Sequence, residues 1–166
     1  MRSWLISALA VKTQAGGADA LKRLCAFDWL VWEPGSWRPA RPNIETVMGL
    51  PRVAPGTIPE EPSEGESLVI ALEPRRDRKD VTLGRAGCDI VIDDRTLSSH
   101  HLSFSFDDHH WWVHDVGSRN GSLIDGRKLG NEPVRLLAGA RIQAAQVTLS
   151  YYTQETMYAR LKARRA

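Results

Sequence analysis

Cysteine is scarce in this chain: there are two, Cys25 and Cys88. Two thiols make no disulfide framework, and these two have no metal-site spacing. They read as buried or half-buried thiols of a reducing compartment, so a cytoplasmic protein is expected. Long apolar runs are also missing. None approaches the ~20 residues that cross a bilayer as a helix, so no membrane partner is expected. Met1-Arg2-Ser3 followed by the apolar stretch Trp4 to Val11 hints at a secretory signal. Lys12 and Gln14 end that stretch too early, and a packed N-terminal segment is expected instead. Nor does one charge dominate: 22 Lys and Arg stand against 20 Asp and Glu, a net charge of +2. Without a global basic field, nucleic acid is not an expected partner. No Gly-x-Ser-x-Gly nucleophile elbow is present.

What is present divides into zones. Residues 1–32 are mixed. Leu21, Leu24, Cys25 and Phe27 mark one face of a short helix that Asp19 could cap. Trp29-Leu30-Val31-Trp32 is a short apolar run, read as a strand or a packing plug. Trp4, Trp29, Trp32 and Trp37 are too apolar to stay solvated. They pack on a neighbouring surface or form a partner-binding segment. Residues 33–66 hold seven of the nine prolines and end in an acidic cluster. That composition reads as an extended, semi-rigid linker. From Ser67 to Thr153 the sequence becomes short apolar runs between polar turns, beginning with Leu68-Val69-Ile70-Ala71-Leu72. Leu102, Phe104 and Phe106 alternate with Ser103 and Ser105, Asp107 to His110 is a hairpin turn, and Asp125-Gly126 is another. Many short strands at close spacing predict an all-β antiparallel sandwich. Residues 154–166 read as a C-terminal basic helix. Its cations suit the helix dipole, or contact a nucleic acid or lipid.

Three short motifs fall in order on the loops of the strand region: Gly84-Arg85, Ser98-Ser99-His100-His101 and Gly117-Ser118-Arg119-Asn120-Gly121. Arginine offers forked, charged donors. Serine adds a neutral donor, and an asparagine amide can bond a peptide main chain as donor and acceptor. Those are the groups that a phosphate dianion on a peptide needs. The chain here resembles the forkhead-associated (FHA) family, whose pattern runs Gly-Arg, Ser-x-x-His, Gly-Ser-x-Asn-Gly. The resemblance covers residues 67–153. It implies an FHA/SMAD-like sandwich and a non-enzymatic module that binds phosphothreonine peptides without a cofactor. Such a module docks proteins in Ser/Thr-kinase signalling, and Trp- and Ala-rich usage hints at a bacterial source.

Carried over by residue, the resemblance implies that Arg85, Ser98, Ser99, Arg119 and Asn120 hold the phosphopeptide. Arg95 and Thr96 would flank it, with a preference for an acidic or polar residue about three positions after the phosphothreonine. Gly84, His101, Gly117, Ser118 and Gly121 would be structural, Gly84 as the turn that aims Arg85 outward. The bland alternative for Arg85 is a salt bridge to Asp89, Asp93 or Asp94. Ser99 departs from the longer polar side chain usual there, Ser122 replaces a usual Thr, and Ala140 and Ala145 replace a usual Asp and Gly. Three other readings remain: a scaffold without phosphate dependence, a metal site from His100, His101, His109, His110 and His114, and a hydrolase from Ser98, His101 and Asp115. Thr57, with Glu60 three residues on, is a candidate phosphorylation site, and Thr46 is a second. The resemblance implies that the chain enters the sandwich away from the binding loops. Capture of phosphorylated Thr57 by a second molecule, giving phosphorylation-dependent self-association, is therefore the expected form.

Overall fold

The computed structural model describes residues 1–33 and 66–164. Thr46, Thr57, Trp37 and the proline-rich stretch lie outside the described residues. Among the described residues, twelve strands form two sheets packed face to face, with three helices. The larger sheet has the order β1 (Ser3–Leu5), β3 (Leu68–Leu72), β2 (Asp28–Trp32), β12 (Val147–Tyr152), β11 (Arg141–Ala144), β8 (Ser122–Ile124), β9 (Arg127–Leu129). The smaller runs β10 (Val134–Arg135), β7 (Trp111–Asp115), β6 (Leu102–Phe106), β4 (Asp80–Gly84), β5 (Ile90–Val91). The pairing is antiparallel except between β4 and β5, which are parallel. The fold is an all-β sandwich with a C-terminal helix.

Alternation decides which residues enter the core between the sheets. Leu102 and Phe104 face it from β6, Trp111 and Val113 from β7, and Ile142 and Leu149 from the larger sheet. The runs Trp29–Trp32 and Leu68–Leu72 do not alternate because β2 and β3 are covered on both faces. Leu30, Trp32, Leu68, Ile70 and Leu72 point into the sandwich. Trp29, Val31, Val69 and Ala71 point outward, onto Ile6, Leu9, Leu21, Cys25, Met157 and Leu161 of a helical layer. That layer comprises α1 (Ile6–Lys12), α2 (Gly17–Leu24) and α3 (Gln154–Ala163). The N-terminal segment thus supplies two strands of the larger sheet as well as packing helices. The start of α2 differs from expectation: Gly16 is its N-cap, and Asp19 lies in the first turn without capping it. Cys25 is fully buried, and burial pushes its thiol up to about 12. Both cysteines are free.

Thr153 caps α3 through a capping box with Thr156. The helix then places Arg160 against Glu33 at the end of β2, with two bonds of 2.9 and 3.1 Å. Arg160 also donates to the Tyr152 hydroxyl (2.6 Å) and to Ser67 Oγ (3.3 Å). Burial pushes the Glu33 carboxyl up, but the bonds from Arg160, Ser150 and Ser67 hold it below its usual range. The expected dipole cation is therefore a clasp joining the end of β2 to the start of β3. Among the described residues no helix is long and apolar enough to cross a membrane.

Strand register corrects one expectation. Ser122 pairs with Ala144, and Ala144 with Val147. On the next strand over, the Glu33 N–H donates to Thr148 O (3.1 Å). The end of β2, the start of β3 and the Ala145-Gln146 turn therefore share one end of the larger sheet. That turn reaches the loops carrying the three motifs: Ala145 N–H donates to Gly121 O (3.1 Å) and Gln146 N–H to Thr96 Oγ1 (3.4 Å). The chain thus leaves after Glu33 and returns at Glu66 on the motif-bearing end, because β12 starts at that end and β2 runs antiparallel to it.

Candidate binding site

β4 delivers Arg85 to the surface, and Gly84 closes the strand without a turn conformation. Its role differs from the expected one. A Cβ at Gly84 would lie 2.1 Å from Ser99 O and 2.7 Å from Ser99 C, so only glycine lets the 92–101 loop pack on β4. Two backbone bonds then join the loops: Arg85 N–H to Ser98 O (2.9 Å) and Ala86 N–H to Ser99 O (3.3 Å). The Arg85 guanidinium is exposed and has no hydrogen bond or ion pair among the described residues. It makes no bridge to Asp89, Asp93 or Asp94.

Ser98 is the meeting point. Its N–H donates to His101 Nδ1 (3.1 Å), and its Oγ accepts the Arg119 N–H (3.0 Å). The oxygen is thereby oriented while the hydroxyl proton stays available. His101 is fully buried. Since Nδ1 accepts, the ring proton sits on Nε2, which faces Gly121 O at 3.3 Å. One imidazole thus ties the serine loop to the glycine loop.

Asp115, at the end of β7, organises the 116–121 loop. Oδ1 accepts from Gly117 N–H (2.9 Å) and Ser118 N–H (2.6 Å), and Oδ2 from the Ser118 and Ser122 hydroxyls, both at 2.6 Å. Burial pushes this carboxyl up, but those donors outweigh it and hold the group below its usual range. Gly117 and Gly121 adopt φ of 89° and 72°, a region that favours glycine. Asn120 Nδ2 donates to Thr96 O (2.7 Å). One amide donor is therefore spent between loops, while the carbonyl oxygen and second proton remain. Thr96 is itself engaged: its hydroxyl and N–H donate to Asp94 at 2.5 and 2.8 Å. Ser99, Arg95 and Arg119 are exposed, and neither arginine has a side-chain partner among the described residues.

Asp115 is a site support that the sequence reading does not single out. An Asp two residues before Gly117-Ser118 was the available sign, since such a carboxylate caps the following N–H groups. Ser98, His101 and Asp115 do come together, but not as a hydrolytic triad. The imidazole receives the serine N–H rather than its hydroxyl, and it is sealed from substrate. Among the described residues no three His, Cys, Asp or Glu side chains gather to hold a metal. His109 and His110 serve the β6–β7 turn, where their N–H groups and the Trp112 indole hold Asp107 at about 2.

The sequence model of the FHA domain matches residues 81–145. The chain carries an FHA domain. No curated protein matches the sequence. Similar solved structures include the FHA domain of the CT664 protein of Chlamydia trachomatis, at 18% identity over 75% of this chain and 96% of that one, TM-score 0.48. An FHA domain of an Arabidopsis thaliana hypothetical protein has 23% identity over 76% and 86%, TM-score 0.49. The N-terminal FHA domain of S. cerevisiae Rad53p, solved with a phosphothreonine peptide, has 20% identity over 55% and 88%, TM-score 0.46.

Proposed function

We propose that the FHA domain binds phosphothreonine-containing proteins and acts as a docking module for substrates of a Ser/Thr kinase. One observation carries the reading: the loops of Arg85, Ser98 and Arg119 are hydrogen-bonded into one platform, and both guanidiniums are without a partner among the described residues. Arg85 clamps the phosphate with charge-assisted bonds. The Ser98 hydroxyl donates a neutral bond to it. Asn120 grips the peptide main chain with its remaining donor and acceptor. Arg119 and Arg95 flank the peptide and favour an acidic neighbour. Thr96, its polar atoms engaged, shapes the loop. Ser99 adds a short hydroxyl where a longer side chain would reach further. Burial of the threonine methyl against the platform, worth about 0.8 kcal/mol, would favour phosphothreonine over phosphoserine. Phosphorylated Thr57 is one ligand of this site, reached from the motif-bearing end of the sandwich.

A library of phosphothreonine peptides and their unphosphorylated counterparts, probed with the full chain, tests the reading. Enrichment of the phosphorylated set alone is expected. Equal retention of both sets would leave a phosphate-independent scaffold.

A further inference from the structure

The Arg85 loop contains a carboxylate that ought to compete for the clamp. Asp89 lies four residues after Arg85, and its side chain is only 5% exposed. Its Oδ2 accepts the Thr82 N–H (2.9 Å) and hydroxyl (3.0 Å) on β4. Its Oδ1 is taken from the other side by the basic β3–β4 loop: Arg78 Nη2 at 2.6 Å and Arg75 Nε at 3.5 Å. Four donors from two other elements therefore saturate one carboxylate. Burial alone would push that carboxyl up, yet the Thr82, Arg78 and Arg75 contacts hold it below its usual range, so it stays ionised. An ionised carboxylate so close in the chain to an unpaired guanidinium would otherwise draw it in. Arg76 and Lys79 of the same basic loop make no ion pair among the described residues. Only the two arginines aimed at Asp89 are engaged there.

We propose that Arg75 and Arg78 are positioning residues for the phosphate clamp: by occupying Asp89 they leave the Arg85 guanidinium unpaired and available to the ligand. The proposal rests on the reading of Arg85 as that clamp. The basic loop acts on phosphate binding without touching phosphate. Without Arg75 and Arg78, Asp89 captures Arg85, and each binding event must first break that pair.

The test is titration of the full chain with one phosphothreonine peptide at fixed salt. Arg75→Gln with Arg78→Gln is expected to weaken binding about three- to tenfold, as for coupled neighbours. Arg76→Gln with Lys79→Gln removes the same charge without touching Asp89, and is expected to leave affinity within about twofold. The decisive variant adds Asp89→Asn to the first pair. An asparagine oxygen keeps the Thr82 bonds but cannot hold Arg85, so affinity should return toward that of the unaltered chain. A merely structural role predicts the opposite, since losing another partner would weaken the loop further. The inference is overturned if the first pair binds normally, if the control pair weakens binding equally, or if Asp89→Asn fails to rescue. Arg85→Ala is titrated in parallel. If that variant binds normally, the clamp reading falls and takes this inference with it. If it alone binds weakly, only the inference falls.

Discussion

Gly84 and Ala145 show what a single methyl group decides at this site. Gly84 has no room for one, because Ser99 O occupies the space. Ala145 carries one at φ 53°, where the family usually has glycine. Gly84→Ala should therefore cost about 1–3 kcal/mol or more, whereas Ala145→Gly should gain about 0.5–1 kcal/mol by relieving a left-handed alanine. Urea unfolding of both variants measures this pair, and a destabilising Ala145→Gly would contradict the turn geometry. Asp115 sets a pH limit. Its folded pKa is depressed, so its contribution is complete above the unfolded value near ~3.9 and is lost as pH falls through the lower, folded one. The ligand changes first, since a phosphate loses its second charge near about pH 6. Affinity should decline below about pH 6 while near-UV circular dichroism stays native to about pH 4. Loss of tertiary signal in step with affinity would refute that order. The arginine, serine and asparagine of the candidate site are legible as a set because their chemistry is carried by residue type in a fixed order. Asp115 is not, because a buried carboxylate that serves loop N–H groups looks in sequence like any polar turn residue.

Among the elements, the apolar periodicity of residues 68–152 was a sound guide, since β6 and β7 each bury one face and must alternate. It was silent on pairing. Nothing in Trp29–Trp32 states that β2 lies between β3 and β12. The double burial that makes the run continuous also removes the alternation that would identify a strand. The C-terminal helix was legible from composition, but Arg160 was not, because its partner Glu33 is remote in sequence. The loops separate similarly into frame and contact. His101 is sealed and bonded to two loops, so His101→Ala should cost about 2–4 kcal/mol by stranding Ser98 N–H and Gly121 O. Asn120 is exposed with one internal bond. Asn120→Ala should cost about 1 kcal/mol or less in stability, yet weaken phosphopeptide binding about tenfold. Melting curves and titrations of the two variants decide this, and a larger melting shift for Asn120→Ala would reverse the assignment.

The whole molecule brings together parts that sequence alone kept separate. The chain leaves the larger sheet after Glu33 and returns at Glu66 beside the binding loops, with Arg160 clasping both roots. The family resemblance implies an entry at the far end, and the sequence offers no check on it, because chain direction relative to the site depends on sheet register, which no local motif encodes. Thr57 lies ten residues from Ser67, a span of at most ~35 Å. With both roots at the binding end, phosphorylated Thr57 is expected to be captured by its own molecule or by a second one. Protein phosphorylated at Thr57 should resist added phosphopeptide, and sedimentation gives its mass: monomer for capture within the chain, dimer for capture between chains. Full-affinity binding of added peptide by a monomer would exclude both. The central claim is that Arg85 on the Ser98 platform recognises phosphate, and calorimetric titration tests it most directly. A phosphothreonine peptide and its unphosphorylated form are titrated into the unaltered protein and into Arg85→Ala. Loss of one charge-assisted pair, about 1.5–3 kcal/mol, predicts a tenfold to hundredfold weaker complex for the variant at unchanged melting temperature, and no measurable binding of the unphosphorylated peptide. Equal affinity of the two proteins for the phosphopeptide would contradict the account.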